Sequence, residues 1–195
     1  ILVLCSYLHY HKLVNTIDIA PSYLAGHSLG EYSALVAANS LSITEALKLV
    51  RKRGELMEAA PNGSMSAIMG LDYNIIDEIC LIASQGENSH VQCANLNSPN
   101  QTVISGHDDA VLRAQDLCSA KGAKRIVKLN VSIASHSKLM LSVADEFQKT
   151  IEAVKFNIPD TNIIHNVSVN SSTSSKDIPS LLVSQLHSPV RWVET

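Results

Sequence analysis

Five consecutive residues, Gly26-His27-Ser28-Leu29-Gly30, constrain this chain more than any other stretch. Tyr23-Leu24-Ala25 before them reads as the end of a short buried strand. Glu31 to Ala38 after them reads as a helix, with Ala34, Leu35 and Ala38 on one face. A G-x-S-x-G segment between a strand and a helix must turn sharply, which leaves its serine strained and exposed. Small glycines let neighbouring backbone approach, and the N–H after the serine, that of Leu29, can face a developing oxyanion. Glu31 suits the positive N-terminus of the following helix.

The rest of the chain is read from its periodicity. Residues 43–60 form a helix opened by the capping box Ser42-Ile43-Thr44-Glu45 and stopped by Pro61-Asn62-Gly63. Residues 65–71 are strand-like, and 74–84 are helical with Ile75, Ile76, Ile79 and Ile82 on the buried side. Two short strands, 90–95 and 101–105, flank a turn-rich linker, Leu96-Asn97-Ser98-Pro99-Asn100. A helix over 109–120 closes at Lys121-Gly122, and 124–131 is a strand. That β-α-β-β-α-β order is the ferredoxin-like pattern. A helix over 137–154 follows, carrying Leu139, Met140, Val143, Phe147 and Ile151 on one face. After it come a strand at 163–167, a Ser-rich loop at 170–176 and a last helix at 178–186.

The expected fold class is therefore α/β. A parallel-sheet, hydrolase-like body (residues 1–61 and 132–195) carries an inserted ferredoxin-like α+β subdomain (residues 62–131). Residue 1 is Ile, residues 1–13 read as core-facing helix, and Val190-Arg191-Trp192-Val193-Glu194-Thr195 ends on an apolar-polar pattern without a cap. These ends read as those of a piece cut on both sides.

Charge and cysteines narrow the setting. A net charge of −3, with Arg51-Lys52-Arg53 as the single basic cluster, points away from nucleic acid. Cys5, Cys80, Cys93 and Cys118 have neither metal-ligand nor disulfide-framework spacing, so a reducing cytoplasm and no metal are expected. No apolar run reaches membrane-spanning length, so no membrane association is expected.

Arg53 is the second informative position. Ala46, Leu49, Val50, Leu56 and Met57 form the apolar stripe of its helix, and Arg53 lies on that stripe while Lys48, Arg51, Lys52 and Glu55 lie opposite. An inward guanidinium needs pairing. The pattern leaves two partners open: an internal Asp or Glu, or a ligand carboxylate held by the guanidinium fork. A serine nucleophile also needs a base, and spacing does not choose among 8 histidines. His136 is best placed, at the end of a strand and the start of a helix; taken alone, it reads more plainly as an ordinary helix-start residue. His27 sits beside the serine and could point into the pocket, but sequence neighbours rarely align as base and nucleophile. His9, His11, His90, His107, His165 and His187 read as surface or packing residues.

Together these segments resemble the malonyl-CoA:acyl carrier protein transacylase family, which includes the acyltransferase domains of polyketide and fatty acid synthases. The resemblance covers essentially the whole chain. It is carried by Gly26-His27-Ser28-Leu29-Gly30-Glu31-Tyr32-Ser33-Ala34-Leu35, Arg53-Gly54, Asn95-Leu96-Asn97-Ser98-Pro99, Val103-Ile104-Ser105-Gly106-His107, Ser135-His136-Ser137-Lys138-Leu139-Met140 and Gln185-Leu186-His187-Ser188-Pro189-Val190-Arg191-Trp192. It implies that Ser28 is the nucleophile, His136 its base, and Arg53 the grip on the free carboxylate of malonate. It further implies that a backbone carbonyl near Gln185 orients the imidazole, that Leu29 N–H serves the oxyanion, and that Asn97 lines the pocket, where His27 is also expected from its place beside the serine. Expected partners are malonyl-CoA and acyl carrier protein, with no cofactor, in a monomer of fatty acid or polyketide synthesis. Two departures stand out. The family's G-Q-G segment, whose glutamine N–H is the other oxyanion donor, is not in this sequence. Ala134 also stands where the free-standing enzymes usually have proline, which loosens the expectation of malonyl over methylmalonyl.

Two rival readings exist. A serine hydrolase of the α/β-hydrolase or patatin-like kind shares G-x-S-x-G, but the former needs an acid and then a late histidine without a ferredoxin-like insertion. A non-catalytic acyltransferase-like domain that only docks carrier protein would not need Ser28, Arg53 and His136 all intact.

Overall fold

The computed structural model describes residues 1–18, 20–172 and 174–195. Its elements follow from local chemistry. Ser42 caps helix α3 (Ile43–Ala59) by accepting the Glu45 N–H at 3.1 Å. Ala46, Leu49, Arg53, Leu56 and Met57 are that helix's buried line. Before it lie α1 (Leu2–Ile17), β1 (Tyr23–Ala25) and α2 (Gly30–Ala37).

The inserted segment runs β2 (Ser64–Met69), α4 (Tyr73–Ala83), β3 (Val91–Ser98), β4 (Gln101–Gly106), α5 (Asp108–Ala120) and β5 (Arg125–Lys128). Its sheet order is β3-β4-β2-β5 with every neighbouring pair antiparallel, the ferredoxin-like arrangement. Period-2 alternation gives the sheet two apolar faces. Ile68, Cys93 and Ile104 pack with α4 and α5, while Met65, Ala67 and Val103 form a smaller cluster.

The chain then makes a 3-10 turn (Lys138–Met140) into α6 (Leu141–Glu152), followed by β6 (Asn162–Ile164), β7 (Ser171–Ser172) and α7 (Ile178–His187). In the body sheet, β1 pairs parallel with β6, and β6 pairs antiparallel with β7. Tyr32, Leu35, Met140, Phe147, Ile163 and Leu182 anchor its core. Each such side chain, fully buried, contributes roughly 1.5–3 kcal/mol. Strand β3 is tied to the segment after α7, where Leu96 N–H donates to Val190 O at 2.9 Å and Val190 N–H donates to Ala94 O at 2.8 Å.

Several expectations need correction. Among the described residues β1 pairs with β6 alone, and its Tyr23 is 57% exposed where a buried strand was expected. α1 is not core-facing along its length: Val3 is its buried residue, while Leu2, Leu8 and Leu13 are exposed. On α4 the buried line is Ile76, Ile79, Cys80 and Ala83, at i, i+3, i+4 and i+7; Ile75 and Ile82 fall roughly 100° off it and are exposed. Leu96–Ser98 belong to β3, so the expected linker shrinks to a two-residue turn at Pro99-Asn100. The strand expected at 124–131 is β5 alone, and that at 163–167 ends at Ile164. The helix expected from residue 137 begins as the 3-10 turn. Ser171–Ser172 pair as a strand within the expected Ser-rich loop, and Thr173 of that loop lies outside the described residues.

Candidate active site

The strand-to-helix elbow is built as its glycines demand, though by one of them. Ser28 has φ 52, a left-handed conformation that costs a non-glycine residue about 1–2 kcal/mol. A Cβ on Gly26 would lie 2.1 Å from the Gly30 carbonyl carbon and oxygen, so that close approach requires glycine. At Gly30 the space is open, and its small size is not needed by its neighbours. The strained turn is clamped from the neighbouring strand. Asn166, just past β6, accepts the Ser28 N–H at 2.6 Å and donates from Nδ2 to Gly26 O at 2.9 Å.

His136 meets Ser28 across the elbow, with Nε2 2.8 Å from Oγ. Its own backbone is left-handed, at φ 58. Nδ1 lies 2.7 Å from Gln185 O. A carbonyl can only accept, so Nδ1 carries the proton and the neutral ring presents a bare Nε2 to the serine hydroxyl. The acceptor belongs to the last turn of α7, where helix carbonyls lack helical partners. The next one, Leu186 O, accepts the His136 N–H at 3.0 Å. Burial, and then the Arg53 guanidinium, push the imidazole down from 6.5 to about 3, against the opposing pull of the Gln185 carbonyl. The His136 ring is thus neutral throughout the physiological range.

Arg53 is 7% exposed and points at the same hydroxyl, donating from Nη2 to Ser28 Oγ at 3.1 Å and to Gln185 Oε1 at 3.4 Å. Among the described residues no carboxylate lies within ion-pair distance of it, and its buried Nε has no acceptor. Of the two partners left open by its helix pattern, the internal one is therefore missing. Glu31 comes nearest in the network, through Gln185. Gln185 Nε2 donates to Glu31 Oε2 at 2.6 Å and to Ser28 O at 3.2 Å. Glu31 itself is buried, paired with His165 Nδ1 at 2.7 Å and accepting the Asn166 N–H at 3.2 Å.

His27 and Asn97 meet at the mouth, Nε2 to Oδ1 at 2.9 Å, and His27 also packs edge-on against Trp192 at 5.4 Å between ring centroids. Leu29 follows the serine as the residue before α2, its N–H on the elbow. Leu96 and Ser98, alternating with Asn97 on β3, face instead a separate cavity of about 560 Å³ with Tyr73 and Arg191, which does not include Ser28.

The structure thus brings together Ser28, Arg53, His136 and Gln185, with His27, Leu29 and Asn97 beside them. Sequence reasoning missed Glu31 as a buried partner, and Asn166, His165 and Gln92. His165 and Asn166 could have been found from their place just past a parallel strand, where α/β sites assemble. Gln92, an alternating strand position, carried no signal. Among the described residues no cluster of His, Cys, Asp or Glu is arranged to hold a metal ion. No helix among them is long and apolar enough to cross a membrane.

A serine on a strand-to-helix elbow, a neutral histidine aimed at it and a buried arginine beside both make up a candidate nucleophilic site on an α/β body with a ferredoxin-like insert. The acyl transferase domain family matches residues 10–195, and the chain belongs to that family. It is 46% identical over 181 residues to the malonyl CoA-acyl carrier protein transacylase of Haemophilus influenzae, covering 91% of this chain and 57% of that protein. With the Bacillus subtilis transacylase it shares 44% over 180 residues, covering 91% of this chain and 56% of the relative. The chain thus spans little more than half the length of these relatives. Among solved structures it superposes on an acyl carrier protein S-malonyltransferase from Vibrio cholerae with a TM-score of 0.92 at 45% identity, covering 98% of this chain and 63% of that one. A type II PKS acyl-carrier protein in complex with its malonyl-transacylase matches with a TM-score of 0.92 at 43% identity, over 98% of this chain and 63% of that one.

Proposed function

We propose that the protein transfers a malonyl group from coenzyme A to the phosphopantetheine thiol of acyl carrier protein through a malonyl-Ser28 ester. The observation that carries this reading is Arg53, a buried guanidinium with no carboxylate partner among the described residues and with Nη2 3.1 Å from Ser28 Oγ. A buried charge of this kind calls for a counter-ion, and an acyl group ending in a carboxylate supplies one beside the nucleophile. The activities for which the relatives are named point the same way.

In this mechanism His136 Nε2 takes the Ser28 proton as Oγ attacks the malonyl thioester carbonyl. Leu29 N–H donates to the oxyanion, and the tetrahedral adduct collapses to the ester. The coenzyme A thiolate leaves and takes the proton from the imidazolium. Arg53 exchanges its contacts with Ser28 and Gln185 for the malonyl carboxylate, fixing the acyl group. The carrier thiol then gives His136 its proton, attacks the ester carbonyl and releases Ser28 by the reverse path. His27 and Asn97 line the entrance. In this reading the cleft lies between a body of residues 1–61 and 132–195 and a subdomain of 62–131, and a cytoplasmic monomer does the work.

Intact mass spectrometry after mixing with malonyl-CoA tests the reading. A malonyl adduct that maps to Ser28, is absent in Ser28→Ala and passes to added carrier protein supports it. Turnover to free malonate without transfer means a hydrolase and sinks it.

A further inference from the structure

Gln92, on β3, reaches across from the four-stranded sheet into the body with both ends of its amide. Nε2 donates to His136 O at 3.0 Å and to His187 O at 3.1 Å. Oε1 accepts the Lys138 N–H at 3.2 Å and meets His90 Nε2 at 3.2 Å. These contacts fill both donors and both lone pairs, which locks the amide in one orientation.

What it holds is a strained turn. The left-handed backbone of His136 persists only where its surroundings over-determine it. Three successive carbonyls at the end of α7 are taken up here. Gln185 O accepts from the His136 ring, Leu186 O from the His136 N–H, and His187 O from Gln92. Gln92 therefore joins the carbonyl of His136 to the same helix end that fixes the imidazole.

We propose that Gln92 is a positioning residue for His136, clamping its left-handed turn to the end of α7 so that Nε2 stays in line with Ser28 Oγ. This deepens the malonyl-transfer reading and rests on it for the role of His136 as base.

The test follows labelling of Ser28 by a fluorophosphonate, in which Oγ bonds to phosphorus and fluoride leaves. Rates and final stoichiometry are read by intact mass for the native protein, Gln92→Glu and Gln92→Met. Q92E keeps the acceptor end and loses both donors; Q92M keeps the length and loses all four contacts. Both should still label to about one per chain, with the maximal rate at least about ten-fold lower and the half-saturating reagent concentration unchanged. A maximal rate within two-fold of native (roughly 0.4 kcal/mol by the transition-state relation) in a folded variant overturns the proposal. So does a reduced stoichiometry at the native rate, the signature of a partly unfolded population. Should Q92E fail to fold, Q92M is read in its place. Native protein that takes the fluorophosphonate but no malonyl group sinks the malonyl reading, while the labelling rates still decide the role of Gln92. No labelling of native protein overturns both.

Discussion

Gln185 donates from Nε2 to the Glu31 carboxylate at 2.6 Å, and both residues are buried. The same side chain accepts from Arg53, so one amide separates the buried carboxylate from the buried guanidinium and keeps Arg53 from closing an internal ion pair. The separation leaves the guanidinium open to a ligand. Gln185→Met should strip a donor from Glu31 and an acceptor from Arg53, destabilising the protein by about 3 kcal/mol in urea unfolding. The carbonyl that orients His136 remains, so Ser28 labelling should stay within a few-fold of native. Equal loss of stability and of labelling would contradict this division of labour.

Arg53→Ala should cut malonyl loading of Ser28 relative to acetyl loading by about 10- to 100-fold, the weight of a charge-assisted contact. Competition between the two acyl-CoAs, read by adduct mass, gives the ratio. An unchanged ratio would remove Arg53 from substrate selection.

The depressed basicity of His136 sets the pH dependence. Labelling of Ser28 should be nearly flat from pH 8 to pH 5, because the base stays neutral until the pH approaches its value of about 3. An acid limb centred near 6.5 would mean the imidazole is solvated. Stability carries the matching signature. Below pH 6.5 the unfolded chain takes up this proton before the native state does. Urea stability should therefore fall as pH drops from 6.5 toward 3, and this residue should add no slope above 6.5.

The two glycines of the elbow should separate cleanly. Gly26→Ala forces a methyl against the Gly30 backbone and should cost about 3 kcal/mol or more. Gly30→Ala enters open space at the head of α2 and should change stability by less than about 1 kcal/mol. Thermal unfolding of both variants distinguishes them, and equal effects would refute the asymmetry.

Asn166 should behave as part of the elbow. Asn166→Leu removes the acceptor for Ser28 N–H and the donor to Gly26 O, and should lower the labelling rate about ten-fold while costing about 2 kcal/mol. Native labelling in a folded variant would show that the turn holds itself.

Much of this was legible in the sequence because it rests on local chemistry. The capping box placed α3, the G-x-S-x-G pattern placed the elbow, and helical period alone turned Arg53 inward. Whether Arg53 had an internal partner was not legible, since that depends on where Gln185 and Glu31 lie across the fold. Glu31 read only as a charge suited to the positive end of a helix, and its burial became visible only with β6 beside β1. Exposure along α1 was misread for a similar reason, whereas on α4 the face itself was misdrawn, since Ile75 and Ile82 lie off the line of Ile76, Ile79, Cys80 and Ala83. An apolar stripe says which side of a helix can be buried, not how much neighbouring chain covers it.

The hydrogen bond from His136 to Gln185 O has a genetic corollary. Since every amino acid carries that oxygen, no codon change at position 185 deletes it. The aim of the imidazole is inherited through backbone paths, that of α7 and that of the turn at His136, and a substitution at position 185 reaches it only by displacing the helix.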